Sequence, residues 1–383
     1  MHIYVPRESK VGERRVAIVP DVITKYVRAG FTVSVESGAG ASALAEDRAL
    51  VAAGAQIATT NEIAKADVIL SVNPLTPNQF AQLKQGAITI SFLAPNQSLD
   101  SISAAAKAGA TAFSLELVPR ISRAQSMDAL TSQALCAGYR AALVAAELSP
   151  RFFPLLMTAA GTVTPANVVV LGAGVAGLQA IATARRLGAV VSAYDVRPAS
   201  ADEVRSMGAS FIDLKLEALE GSGGYAREMT EERAAKQREL LTPYLASADV
   251  VITTAAVPGR PAPRLVTEEM VSAMKAGAVI VDLAAESGGN VAGSKPGEIC
   301  DIGGVRIWGG KDVPSQLPFH ASQLFAKNCM NLLMLMVKTE EGKSALHLDF
   351  DDEIIAASAV THDGQVRHEG AKAALSHATG GSR

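Results

Sequence analysis

Through residue 116 the chain alternates short apolar runs with stretches that are apolar on one side only. IYV (3–5), TVSVE (32–36), ADVILSV (66–72), AITISFL (87–93) and ATAFSLE (110–116) read as strands. PDVITKYVRAG and AEDRALVAAG read as helices closed by Gly30 and Gly54. Strands that are apolar throughout, with one helix per crossover, predict a parallel doubly wound sheet. From Ser126 to Glu147 there are good helix formers and no proline, a helix long enough to bridge two domains. The same rhythm then restarts with ANVVVLGAGVAGLQAIATARRLGAVVSAYDVR (166–197), ASFID (209–213), ADVVITTAA (248–256) and GAVIVDLAAE (277–286). The Gly- and Pro-rich GGKDVPSQLPF (309–319) predicts a crossing back. A long helix (320–337), a short β-like tail LHLDFDDEIIAASAVTHDG and a frayed or disordered end GAKAALSHATGGSR complete the reading. The expected class is α/β: two doubly wound, Rossmann-like domains joined by a long helix. The first is discontinuous, 1–130 with 313–383, and the second spans 131–312.

Composition narrows this picture. With 383 residues, 49% hydrophobic and 19% charged, the chain is globular and large enough for two cores. A net charge of −3 without a basic block excludes nucleic acid and anionic membrane surfaces as partners. Cys136, Cys300 and Cys329 form no CxxC, which points to a reducing cytoplasm. The start lacks a signal-peptide core, and NCMNLLMLMV (328–337) is about half the roughly 20 residues needed to span a bilayer. If the chain works at a membrane, another chain supplies the membrane part.

One motif carries chemistry by context. Gly172, Gly174 and Gly177 stand in GxGxxG spacing after four apolar residues and at the start of a helical run. The next strand ends in Asp195, 23 positions after Gly172. In such a unit the first glycine turns the chain, the second admits a pyrophosphate, and the third lets helix and strand pack closely. The helix beginning near Val175 directs N–H groups and its dipole at phosphates. Asp195 accepts ribose hydroxyls and repels a 2′-phosphate, favouring NAD(H); Arg197, turned inward, would favour NADP(H) instead.

What a small-substrate dehydrogenase needs next is a base. Four of the six histidines lie in the last 37 residues, and His320 opens a predicted helix as a cap or surface residue. No His/Cys/Asp cluster has metal-ligand spacing, and DFDDE (349–353) reads as a solvated turn.

PRISRAQSMDAL (119–130), MTAAGTV (157–163), the glycine-rich turn, GGYAREM (223–229), PGRPAPRLVTEEMV (258–271) and VDLAAESGGN (281–290) follow in order. Together they closely resemble the NAD(H)-binding domain I, the α subunit, of proton-translocating transhydrogenases, and the resemblance runs from VPRES to about residue 365. The start VPRESKVGERRVAIVP is equally similar to alanine dehydrogenase, in which the residue matching Arg15 binds substrate. On this alignment Asn73 and Ala94 replace that enzyme's lysine and histidine, and neither replacement can supply a proton donor or a carboxylate-binding cation.

The resemblance implies an NAD-binding cleft between two domains. Arg120, Ile121, Ser122, Arg123, Gln125, Ser126, Met127 and Asp128 would lie beside the nicotinamide and its ribose. Read without the match, the same cluster is first a polar helix N-terminus capped by Ser122 or Ser126. Gly172, Ala173, Gly174, Val175, Gly177, Asp195, Val196 and Arg197 would hold the rest of the nucleotide, with Gln237 and Ala256 as further contacts. Gly224 and Tyr225 would belong to a mobile loop that closes over it. The implied reaction is direct hydride transfer from NADH to NADP+ on a membrane-embedded β subunit, coupled there to proton translocation. It needs no acid or base but requires the rings to be held at ~3–3.5 Å, so Arg120, Gln125, Asp128 and Tyr225 would act as orienters. A homodimer, peripheral on the cytoplasmic face of the inner membrane, is also implied, with the apolar 328–337 face as one candidate contact and an ordinary core helix as the other reading of that run. Two other functions stay open: an alanine dehydrogenase-like enzyme acting alone, and a non-enzymatic NAD-binding module.

Overall fold

A computed structural model describes residues 1–59, 61–216, 230–256, 260–340 and 343–380, without the side chains of Glu340, Lys343 and 378–380. It forms two compact units, Met1–Gln133 with Ser315–Arg383, and Ala134–Pro314.

In chain order the first unit contains β1 (His2–Val5), α1 (Pro20–Arg28), β2 (Thr32–Glu36), α2 (Asp47–Ala52) and β3 (Gln56–Ala58). Then come β4 (Val68–Leu70), α3 (Pro77–Phe80), β5 (Ile88–Ser91), α4 (Leu99–Lys107) and β6 (Thr111–Ser114). The logic of α1 is local: Pro20 stands in its first turn, Lys25 and Arg28 in its last, and Val22, Ile23 and Tyr26 form its buried stripe. After a 3₁₀ segment, Ser122–Met127, helix α5 (Ala129–Leu148) carries the chain into the second unit. The helix therefore begins three residues later than the sequence suggests. Asp128 accepts from Thr131 N at 2.8 Å and from Thr131 Oγ1 at 2.7 Å, capping the start, and its ψ of 90° breaks helical geometry.

The second unit begins with a hairpin that the hydrophobic pattern did not reveal, β7 (Leu156–Thr158) against β8 (Gly161–Val163). Next come β9 (Asn167–Leu171), α6 (Val175–Arg186), β10 (Val190–Tyr194), α7 (Ser200–Ser206), β11 (Ser210–Phe211) and α8 (Glu231–Ser247). The unit finishes with β12 (Val250–Thr253), α9 (Glu268–Ser272), β13 (Val279–Asp282), β14 (Ile299–Ile302) and β15 (Val305–Gly309). Its sheet runs β11-β10-β9-β12-β13-β15-β14, parallel except for the β14 edge. Strand order reverses at β9, so β9 and β12 flank a switch-point crevice at their carboxyl ends. Helix α5 packs on α6 where Gly138 lies against Ala176; a Cβ on Gly138 would stand 2.0 Å from the Ala176 carbonyl oxygen.

The chain re-enters the first unit through α10 (Pro318–Leu335), then β16 (Val337–Glu340), β17 (Lys343–Leu346), α11 (Glu353–Ser358), β18 (Ala359–His362), β19 (Gln365–Val366) and α12 (Glu369–Gly380). The completed sheet is β19-β18-β6-β5-β4-β1-β2-β3, with six parallel strands and two antiparallel ones added at the β6 edge. The tail is thus not mostly β, and its end is helical through residue 380; residues 381–383 lie outside the described residues. Asp352 caps α11 by accepting from Ile354 N at 2.9 Å, and Ile354 and Ile355 are buried. Ala371 of α12 is buried in the cluster that holds Ile102 and Ala105 of α4. The 328–337 run is the core helix of the two readings: Cys329, Leu332, Leu333 and Met336 are fully buried within this unit, so the run is not a candidate contact surface.

Candidate functional site

The glycine turn of the second unit is built as its spacing demands. Gly172 has φ +101°, and a Cβ on Gly177 would stand 1.9 Å from the Gly172 carbonyl oxygen. A Cβ on Gly174 would meet nothing within 4 Å, so the backbone there borders open space. Helix α6 starts at Val175 with Gly174 as its N-cap, a residue that has no side chain to cap the first N–H groups. The first N–H groups of a helix are donors of the kind that bind phosphate. The residues present therefore fit a dinucleotide.

Asp195 follows β10, and its carboxylate takes four donors. Oδ1 accepts from Arg197 N and Nε, both at 2.9 Å, and Oδ2 accepts from Ala173 N at 2.7 Å and Arg197 Nη2 at 3.0 Å. A carboxylate has about four lone-pair sites, and at Asp195 the Arg197 groups and Ala173 N occupy all four. Arg197 is thus turned onto Asp195, and its own pKa is raised chiefly by that hydrogen bond. Val196 is half-buried on the sheet, and Ala256 is exposed beyond β12. Gln237 is buried and accepts from Tyr194 Oη at 2.9 Å. Asn290 fixes the backbone next to Ala256, accepting from Ala255 N at 3.1 Å and donating to Ala255 O at 2.8 Å. Gly224 and Tyr225 lie outside the described residues.

In the first unit, the 3₁₀ segment explains the dense polar cluster. Three residues per turn stack Ile121, Ala124 and Met127 in one row, and that row packs into the core. The remaining rows leave Arg120, Ser122, Arg123, Gln125 and Ser126 exposed together, with Asp128 half-buried at the end. Three partners of the segment were not legible in advance. Asn328 and Asn331 of α10 both donate to the Ser126 carbonyl at 2.9 Å. Arg123 forms a forked pair with Asp352, at 2.5 and 3.1 Å, so DFDDE is not merely a solvated turn. The signal available was the Asn-x-x-Asn spacing inside an apolar helix. His320 is exposed in the first turn of α10.

Beyond β1 and β4, where strand order reverses in the first unit, lies a cluster of ionisable groups. Arg15 is buried and all three guanidinium nitrogens are engaged: Nε and Nη2 to Glu13 at 2.8 and 2.7 Å, Nη1 to Gln133 Oε1 at 2.9 Å. Asn73 Nδ2 bridges Glu8 and Glu13 at 2.9 and 3.0 Å. Glu8 also accepts from Val72 N and Asn73 N. Burial works to raise the Glu13 carboxyl, but hydrogen bonds and charge from Arg15 outweigh it and hold the pKa at about 2. Glu8, without such a cation, is raised, first by burial. Ala94, with φ +45°, sits beyond β5, where Leu93 and Ala94 donate to Glu116. In this crevice the Arg15 guanidinium is taken up by Glu13 and Gln133.

The N-terminal domain of the alanine dehydrogenase/PNT family matches residues 4–137, and its C-terminal domain matches 141–369. The first part of NAD(P) transhydrogenase subunit alpha of Rhodospirillum rubrum is 48% identical over 378 residues, covering 96% of this chain and 98% of its own. A crystal structure of transhydrogenase from Sinorhizobium meliloti superposes with a TM-score of 0.84 at 43% identity, covering 96% of this chain and 99% of that one. Alanine dehydrogenase of Mycobacterium tuberculosis (strain ATCC 25618 / H37Rv) is more distant, 34% identical over 301 residues, 77% of this chain and 76% of its own. With both family domains present and transhydrogenase α subunits nearer than alanine dehydrogenase, the chain belongs to the alanine dehydrogenase/PNT family, on its transhydrogenase side.

Proposed function

We propose that this chain is the NAD(H)-binding subunit of a proton-translocating transhydrogenase, an oxidoreductase that works with an NADP(H)-binding partner subunit. One observation carries the reading: the dinucleotide turn is intact, while Arg15, the cation a dehydrogenase would use, is consumed by Glu13 and Gln133. When bound, NADH supplies a hydride to NADP+ held by the partner. The residues of this chain bind and orient. Gly172 to Val175 take the pyrophosphate on the α6 N-terminus, and Asp195 takes the adenosine ribose once Arg197 withdraws. Arg120, Ser122, Gln125 and Ser126 offer exposed polar groups to the carboxamide and its ribose. No side chain is asked to move a proton, which agrees with Asn73 and Ala94 standing where the dehydrogenase keeps its lysine and histidine.

No helix among the described residues is long and apolar enough to cross a membrane. In our reading the membrane segments belong to partner subunits, and this chain is held peripherally on the cytoplasmic face. We also propose a homodimer, supported by the β7–β8 hairpin. An isolated two-stranded hairpin is marginal in water, yet this one exposes Met157 at 80%, with Leu155 just before it exposed at 55%. The test is stopped-flow oxidation of NADH by the purified chain, first with pyruvate and ammonia, then with an NADP+-loaded transhydrogenase β-subunit domain. Turnover with the partner alone is expected; turnover with pyruvate and ammonia would replace this reading with an amino-acid dehydrogenase.

A further inference from the structure

We infer that Asn328 and Asn331 of α10 are positioning residues for hydride transfer, acting through the Ser126 carbonyl to hold the polar row of the 3₁₀ segment in place. The inference rests on the function proposed above, and it concerns residues that sequence reasoning read as part of an apolar run.

The geometry is that of a two-point clamp. A carbonyl oxygen has two lone pairs, and both amides reach the Ser126 oxygen at 2.9 Å. Residues at i and i+3 share a helix face, so one helix supplies both donors. That helix is anchored: Cys329, Leu332 and Leu333 are fully buried between and beside the asparagines. Asn328 is itself fixed, its Oδ1 accepting from Ser132 Oγ at 2.7 Å, and Ser132 Oγ in turn accepts from Gln133 Nε2 at 3.1 Å. The chain of bonds joins the 3₁₀ segment, the first turn of α5 and α10. Without it, the segment keeps its short apolar row and the Arg123–Asp352 pair, which is half-exposed and screened by water. Neither fixes rotation of Gln125 and Ser122 about the segment axis as a bond to the backbone at Ser126 does. A group that only orients must be held by a second layer of bonds, and a shift of about 1 Å can cost roughly a hundredfold in rate.

The variant that isolates the clamp is Asn331→Asp, which keeps size and replaces the donor by an acceptor facing the carbonyl. Asn331→Ala and Asp352→Asn accompany it, since Asn331 is not a core residue and neither change opens a cavity. Full-length chains are compared in single-turnover NADH oxidation with the NADP+-loaded partner domain, NADH and 4-deuterated NADH in parallel. NADH affinity by fluorescence, melting temperature and amide exchange across 122–127 are measured alongside. We expect N331D to slow transfer by about tenfold or more, with affinity within about twofold, unchanged melting, an undiminished isotope effect and faster exchange in the segment. Asp352→Asn should do less. Unchanged transfer in N331D overturns the inference. So does parallel loss of affinity, rate and melting temperature, which would make the asparagines structural. If the wild-type chain itself transfers no hydride to the partner, the transhydrogenase reading fails, and the positioning role fails with it. Unchanged exchange would separately show that the clamp does not hold the segment.

Discussion

Replacing Glu13 by Gln keeps the shape of the side chain and removes the charge that neutralises buried Arg15. The depression of the Glu13 carboxyl from its ordinary 4.5 to about 2 corresponds to about 3 kcal/mol at roughly 1.36 kcal/mol per unit. Because the folded value is the lower one, this stability is fully present above pH 4.5 and is lost as pH falls towards 2. Breaking a buried pair by removing one partner costs about 3–5 kcal/mol in general, the same scale. Relief of Glu8, whose raised carboxyl is partly a response to Glu13, works in the opposite sense and trims the total. E13Q should therefore unfold about 3 kcal/mol more easily at pH 7 in urea, and the gap to wild type should narrow by about 1 kcal/mol by pH 4. A gap below about 1 kcal/mol at pH 7, or one that does not change with pH, would show that Glu13 does not neutralise Arg15 as argued.

Four further outcomes follow from the same geometry. Gly177→Ala drives a Cβ into the Gly172 carbonyl at 1.9 Å, so about 1–2 kcal/mol should be lost after the helix-propensity gain; an unchanged denaturation midpoint would mean the turn relaxes freely. Asp195→Ala should weaken NADH binding by about 1–3 kcal/mol, read by fluorescence titration, and equal affinity would remove Asp195 from the adenosine site. Gln125→Ala should slow hydride transfer far more than it weakens NADH binding; equal losses would mean that Gln125 only binds. Met157→Asp, at an exposed hairpin position, should shift the chain towards monomer in light scattering without lowering its melting temperature, and an unchanged mass would move the dimer contact elsewhere.

Much of the geometry of the candidate nucleotide site was legible in the sequence because its determinants are local. Gly172, Gly174 and Gly177 are demanded by a turn and a close helix–strand contact within six residues, and Asp195 lies one strand further on. The α/β class was legible for the same reason, since fully apolar strands announce two-sided burial. The 3₁₀ segment was harder: its row of Ile121, Ala124 and Met127 has a period of three, while the eye searches for 3.6, and the boundary at Asp128 was blurred into a single helix. What was not legible is long-range. Ser126 and Asn331 are 205 residues apart, and Arg123 and Asp352 are 229 apart. Nor does any local pattern show that Arg15 would be spent on Glu13 and Gln133, or that the acidic tail would cap a helix and add two strands to the sheet.

The row structure of residues 121–127 also limits what kinds of change this stretch can absorb. A surface loop accepts insertions at small entropic cost, but here each added residue turns everything downstream by about 120° about the segment axis. One insertion after Ala124 would send a polar side chain into the core and Met127 outwards, and would carry Ser126 away from both asparagines. Substitution can be forgiving at Ser122 while length is not. In a scan of single insertions and deletions, this short exposed-looking stretch should behave like a buried strand, intolerant at every position, although half of its side chains face water.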